Sequence, residues 1–125
     1  MKLAQIQMHV TADKAANLRH AEELLRSVRG ADMAILPFCC PYDNSCFRAY
    51  GEPTGGAAYQ MLSRAARELG LWLVGGSLPE LDDGRVYNTS FVFDPQGVCV
   101  ARHRKMHLFD IDVEGGQRFR ESDTL

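Results

Sequence analysis

At 125 residues the chain is long enough for one domain and too short for two, since domains typically run to roughly 100–200 residues. A hydrophobic content of 46% with 24% charged residues excludes intrinsic disorder as the default state. The net charge of −2 and pI near 6.0 give no electrostatic reason to expect nucleic acid or an anionic membrane as partner.

Residues 2–8 alternate polar and apolar side chains around Leu3, as a first strand does. From Asp13 the period lengthens. Leu18, Ala21, Leu25 and Val28 recur at three- and four-residue steps and predict an amphipathic helix that ends at Gly30. Met33–Leu36 is a short, wholly apolar run closed by Pro37, which suits a strand buried on both faces. Residues 37–57 contain three prolines and three glycines without periodic apolar positions, and read as a long irregular loop. A second helix is expected over Ala57–Leu69, with Ala58, Met61, Leu62, Ala65 and Leu69 on one face and Gly70 as its stop.

Leu71–Gly76 reads as another buried strand, Asp82–Arg85 as a tight turn, and Val86–Phe93 as a β-rich strand. Asp94-Pro95-Gln96-Gly97 has the residue order of a type I turn, so Val98–His103 should return as a hairpin partner. The order β-α-β-α-β-β-β predicts an α/β layered domain. From Asp110 to Leu125 the chain is polar and aperiodic, and is expected to be irregular.

The longest apolar runs, Met33–Pro37 and Leu71–Val74, fall far short of the about 20 residues that cross a bilayer. Met1–Gln5 lacks the apolar core of a signal peptide, so a cytoplasmic location is the default. The cysteines Cys39, Cys40, Cys46 and Cys99 form no C-x-x-C pair and accompany no paired-histidine motif. That makes a zinc site unexpected and free, packed thiols the simplest reading. Asn88-Thr89-Ser90 matches a glycosylation sequon but sits inside an expected strand, and is read as chance.

Arg102-His103-Arg104-Lys105-Met106-His107-Leu108-Phe109-Asp110 clusters bases at the exit of a strand, an unusual composition for a plain surface turn. Gly75-Gly76-Ser77-Leu78-Pro79-Glu80, Tyr87-Asn88-Thr89 and Phe93–Gly97 precede it; Ile111-Asp112-Val113 and Phe119-Arg120-Glu121-Ser122 follow. Ala4–Gln7, Asn17 and Leu36-Pro37 ahead of Pro41-Tyr42 fit the same succession. Over essentially the whole chain this order resembles the nitrilase superfamily of carbon–nitrogen hydrolases and, within it, the omega-amidases. The resemblance implies the N-terminal half of a four-layer α-β-β-α sandwich, in proteins that usually dimerise. It also implies cofactor-free hydrolysis of the amide of a small molecule, with no nucleic acid or membrane partner. In that chemistry a cysteine thiolate attacks the carbonyl carbon, a glutamate serves as general base, and a lysine stabilises the oxyanion.

Carried over by motif, Lys105 in Arg-Lys-x-His-Leu-Phe-Asp takes the place of the family lysine. Glu121 in Phe-x-Glu-Ser matches a second pocket glutamate that positions substrate and catalytic groups. His103 and His107 match no chemical role and are read as structural. Two departures stand beside these matches. The family general base follows Leu-Pro directly, yet here Leu36-Pro37 is followed by Phe38-Cys39-Cys40 with no carboxylate before Asp43. A short deletion is the simplest account, because Asp32 lies on the wrong side of the strand and Asp43 several residues into the loop. The family nucleophile belongs to a later strand-to-helix elbow, and Cys39, Cys40 and Cys46 stand in the wrong segment for it.

The 125 residues are therefore expected to form an incomplete domain that is inactive and only marginally stable alone. One reading is an omega-amidase-like hydrolase acting on terminal amides of small dicarboxylic acid derivatives once complete. The other is a non-catalytic half-domain that serves as an interaction subunit. A flavodoxin-like nucleotide binder would need a glycine-rich loop after the first strand, and Met8-His9-Val10-Thr11 provides none.

Overall fold

The computed structural model describes residues 1–37, 44–116 and 118–125, with residues 44–46 described by their backbone alone. Five strands form one sheet in the order β1 (Leu3–Gln5), β2 (Met33–Ile35), β3 (Trp72–Asp82), β4 (Arg85–Phe93), β5 (Cys99–Arg104). β1, β2 and β3 are parallel, whereas β4 and β5 complete an antiparallel meander. Helix α1 (Lys14–Ser27) connects β1 to β2, and helices α2 (Asn44–Tyr50) and α3 (Ala57–Leu69) lie between β2 and β3.

Local chemistry explains the element ends. Asp13 caps α1, its carboxylate accepting the Ala16 N–H at 2.9 Å. Just upstream, the buried Asn17 side chain accepts the Thr11 N–H and donates to the Thr11 carbonyl, which fastens the preceding loop to the helix. α3 stops where Gly70 takes the left-handed conformation at φ 63° and returns its N–H to the Ala66 carbonyl. The β3–β4 turn uses positive φ at both Asp83 and Gly84, matching the twist of the strands it joins. In the next turn the Asp94 carboxylate accepts the N–H groups of Gln96 and Val98.

α1 and α3 cover one face of the sheet. Ala34, Leu73 and Phe93 stand side by side on that face and pack against Ala21, Leu25, Met61, Leu62 and Ala65 from the helices. Tyr59 meets Phe91 and Phe93 edge-on, with ring centroids 5.3 Å and 4.9 Å away. Each fully buried Leu or Phe here contributes about 1.5–3 kcal/mol relative to exposure.

The opposite face is uncovered among the described residues, which corrects the expectation that β2 and β3 are buried on both sides. Leu3, Met33 and Trp72 form one row across it, and Ile35, Val74, Val92 and Ala101 another. Leu3 is 54% exposed and Trp72 40%.

Two further expectations change. The 37–57 segment is not wholly irregular: α2 lies within it, and the fully buried Phe47 packs on Val86. A seven-residue helix with one fully buried aromatic side chain leaves too short a stripe to register as periodic. The tail is also ordered, because β6 (Asp110–Asp112) pairs with β7 (Arg118–Arg120) and a 3₁₀ turn follows at Glu121–Asp123. Three-residue strands are likewise below the length at which alternation is readable.

Candidate active site

Strand alternation at the end of β5 divides its basic residues between the two faces. Arg102 stands opposite Phe91 and Arg104 opposite Thr89, while His103 stands opposite Ser90. Lys105, the next residue, donates its backbone N–H to the Asn88 carbonyl at 2.8 Å. Together with Ser77, Asn88, Ser90 and His103 it lines an open trough of about 240 Å³.

Glu121 reaches Lys105 from the tail. Its side chain is fully buried, and Oε2 accepts from Lys105 Nζ at 2.7 Å and from the Phe109 N–H at 2.6 Å. Oε1 has no hydrogen-bond partner among the described residues. The β6–β7 pair brings this carboxylate into place. Ser122 donates its hydroxyl and its N–H to Asp110, and the Glu121 N–H reaches the Phe109 carbonyl. The Ser122 donors hold the Asp110 carboxyl below its usual range. The result is an ammonium fixed by a buried carboxylate, with its remaining donor capacity facing a polar trough. Such a group can stabilise negative charge that develops on an oxygen in the trough.

The two residues singled out by motif are thus in direct contact. His103 lines the same trough and is exposed, as is His107. Asp32 sits at the far end of β2 from Pro37, accepting the Lys2 N–H at 2.5 Å, so it stays on the wrong side of the strand. Cys39, Cys40 and Asp43 lie outside the described residues, and Cys46 belongs to α2. Cys99 is a half-buried free thiol against the core.

Pro37, two residues after β2, presses on β3. A Cβ added at Gly76 would come within 2.0 Å of the Pro37 carbonyl oxygen, and Ser77, the next residue, lines the trough. The glycine at that crossing therefore permits the approach.

Sequence reasoning assigned no role to Ser77, Asn88, Ser90 or Glu80. Alternation along β4 was the available signal for Asn88 and Ser90 facing one way. Glu80, with its side chain 1% exposed, had no such signal because its partners are distant in sequence. Its Oε1 accepts from Thr54 Oγ1 at 2.8 Å and Arg102 Nη1 at 2.9 Å; its Oε2 accepts from Thr89 Oγ1 at 2.8 Å and Arg104 Nε at 2.9 Å. Burial pushes its carboxyl upward, but the hydrogen bonds from Arg104, Thr54 and Thr89 outweigh it and hold the group at about 2.

Solved structures place this fold among the nitrilases. Saccharomyces cerevisiae Nit3, a member of branch 10 of the nitrilase superfamily, aligns with a TM-score of 0.76 at 34% identity, over 86% of this chain and 45% of that one. The C. elegans NitFhit protein aligns with a TM-score of 0.81 at 25% identity, over 96% of this chain and 31% of that one. The carbon–nitrogen hydrolase family model matches residues 2–125, and the chain belongs to that family. It is 47% identical over 128 residues to an omega-amidase of Danio rerio and 45% identical to one of Bos taurus, in each case over 99% of this chain. The chain spans about half the length of these relatives, 46% of each.

Proposed function

We propose that these residues supply the lysine and second glutamate of an omega-amidase-type site. Such a site hydrolyses the terminal amide of a small dicarboxylic acid derivative to acid and ammonia. The contact between Lys105 Nζ and Glu121 Oε2 at 2.7 Å, with Glu121 fully buried, is the observation that supports this reading most directly. Lys105 would stabilise the oxyanion of the tetrahedral intermediate, and Glu121 would hold the lysine and orient the amide through its unpartnered Oε1. The nucleophilic cysteine and the glutamate after Leu-Pro are not supplied by this reading of the chain. On that ground the 125 residues are inactive by themselves and form one incomplete hydrolase domain.

The test joins residues 1–125 to the part of the Danio rerio relative that they do not match, with and without a glutamate inserted after Pro37. Only the chimera carrying the inserted glutamate should release ammonia from omega-amides. In that chimera Lys105→Ala should lower kcat by on the order of 10²–10³, the loss seen when one oxyanion donor is removed. Turnover by the unmodified 125-residue chain, abolished by Lys105→Ala, would overturn the reading of the missing groups.

The uncovered sheet face favours a second reading, a non-catalytic half-domain that docks onto another subunit. Rows of exposed and half-buried side chains such as Leu3, Met33, Trp72 and Val74 promote association in water. Sedimentation should then show a concentration-dependent assembly. A monomer with a cooperative thermal transition counts against both this reading and the expected marginal stability.

A further inference from the structure

We propose that Glu80 is a positioning residue for Lys105, acting from the opposite face of the sheet by locking the register of β5. This rests on the reading of Lys105 given above only for its catalytic meaning; the mechanical link stands on geometry alone.

Four groups converge on one carboxylate. Thr54 comes from the loop before α3, Thr89 from β4, and Arg102 and Arg104 from β5. Arg104 is doubly engaged, with its second arm on Asp82 at 2.6 Å, and its guanidinium lies 3.8 Å from the centre of the Tyr87 ring. Arg104 is the residue immediately before Lys105.

β5 needs such a lock. It is an edge strand of six residues, five of them paired with β4, and its register with β4 shifts between Val92 and Phe93. Its side chains are mostly exposed, so burial specifies the register only weakly, and a slip by one residue exchanges its two faces. Arg102 and Arg104 both reach Glu80 only in the observed register. That register sends the following side chain, Lys105, away from Glu80 and onto Glu121. Two carboxylates therefore hold the last residue of β5 and the one after it on opposite faces: Glu80 takes Arg104, and Glu121 takes Lys105. Because the Glu80 side chain is buried, its fork to the arginines is sheltered from the solvent competition that weakens surface pairs.

The chain has three lysines, Lys2, Lys14 and Lys105, so trace acetylation of the intact protein followed by peptide mass analysis reads each amine separately. Lys2 serves as the reference. In Glu80→Gln the acetylation rate of Lys105 relative to Lys2 should rise by roughly tenfold at neutral pH, the factor for losing a charge-assisted hydrogen bond. Lys14, held by Glu52 and the Tyr50 carbonyl, should change much less. Arg104→Gln removes the two-armed fork and adds no further amine to the peptide. It should raise the Lys105 ratio in the same direction, which provides the decision if Glu80→Gln fails to fold. Glu80→Asp, with a carboxylate one methylene short, should recover part of the protection.

An unchanged Lys105 ratio in a folded Glu80→Gln protein, or in Arg104→Gln, overturns the proposal. An equal rise at Lys14 and Lys105 does so as well, since it reports general loosening. The chimera experiment separates the two readings. A Lys105 reactivity change with no kinetic effect of Lys105→Ala would sink the catalytic assignment and leave the positioning role standing.

Discussion

A double-mutant cycle on Lys105 and Glu121 tests whether the tail is docked where the structure puts it. At the 2.7 Å separation of Nζ and Oε2, the gross Coulombic attraction is about 6 kcal/mol at an effective dielectric constant near 20. Desolvation of the fully buried Glu121 cancels much of this, so the net value of the pair is far smaller. Lys105→Met leaves a buried carboxylate with the Phe109 N–H as its remaining donor. That should cost about 3 kcal/mol, the low end for a broken buried pair, because the lysine is 30% exposed and water can enter its place. Glu121→Gln keeps an acceptor for the Phe109 N–H and frees the lysine into the open trough, costing about 1–2 kcal/mol. The double variant removes both the charge and its partner and should cost about 2 kcal/mol, well below the sum of the singles. The coupling energy is then about 2–3 kcal/mol, in the range for residues in direct contact. Urea unfolding followed by the fluorescence of the single tryptophan, Trp72, measures it. For Lys105→Met the midpoint should fall by about 1–2 M. A coupling below about 0.5 kcal/mol would mean that the contact is not formed in solution, and the reading of the site would fail with it.

Two further outcomes follow from buried groups. The Glu80 carboxyl is held at about 2 when folded, against an ordinary value of 4.5. A lowered folded value stabilises the protein above the unfolded pKa and loses that stabilisation as pH falls through the folded one. Up to about 3 kcal/mol should therefore be complete above pH 5 and disappear between pH 4.5 and 2. Urea midpoints measured across that window should fall steeply for the parent chain and more gently for Glu80→Gln. At the β2–β3 crossing, Gly76→Ala should cost at least about 2 kcal/mol, because its new Cβ meets the backbone C and O atoms of Pro37 at 2.2 Å and 2.0 Å. The neighbouring Gly75→Ala meets Leu62 Cδ1 at 2.4 Å, the mobile end of a side chain, and should cost less. Equal losses in thermal denaturation would contradict this difference.

The parts of the fold that were legible in the sequence are those where one side-chain pattern extends over several turns or a whole strand. α3 is observed over Ala57–Leu69, as its stripe predicts, and Gly70 ends it. β4 and the Asp94–Gly97 turn were readable because alternation and turn chemistry are local. α2, β6 and β7 were not. Each is short, and each is held by a contact outside itself: Phe47 on Val86, Ser122 on Asp110. The bilateral burial expected for Met33–Leu36 failed because hydrophobicity reports what a face can bury, not whether helices cover it. The site divides in the same way. Lys105 and Glu121 were singled out by motif, but their contact depends on the β6–β7 pair that periodicity missed. Glu80 was quoted as part of a motif without a role, since a carboxylate's partners cannot be read from its neighbours in the chain.

The arrangement of β5 shows how a short, bulged edge strand can present a lysine at a fixed position. A lysine side chain has four rotatable bonds and loses about 2 kcal/mol of rotamer entropy when fixed. A single acceptor at its tip does not also fix the strand from which it projects. Here the tip is held by Glu121 and the strand by Glu80, through arginines on the other face. The two constraints act on different degrees of freedom, and loss of either should release Lys105 by a different route. Glu121→Gln frees the amine while leaving β5 in register, whereas Glu80→Gln disturbs the register and with it the backbone bond from the Lys105 N–H to the Asn88 carbonyl. Amide exchange at Lys105 distinguishes them: it should accelerate in Glu80→Gln and stay near the parent rate in Glu121→Gln. Equal acceleration in both would show that strand and side chain move as one unit, and that a single carboxylate governs the position of the lysine.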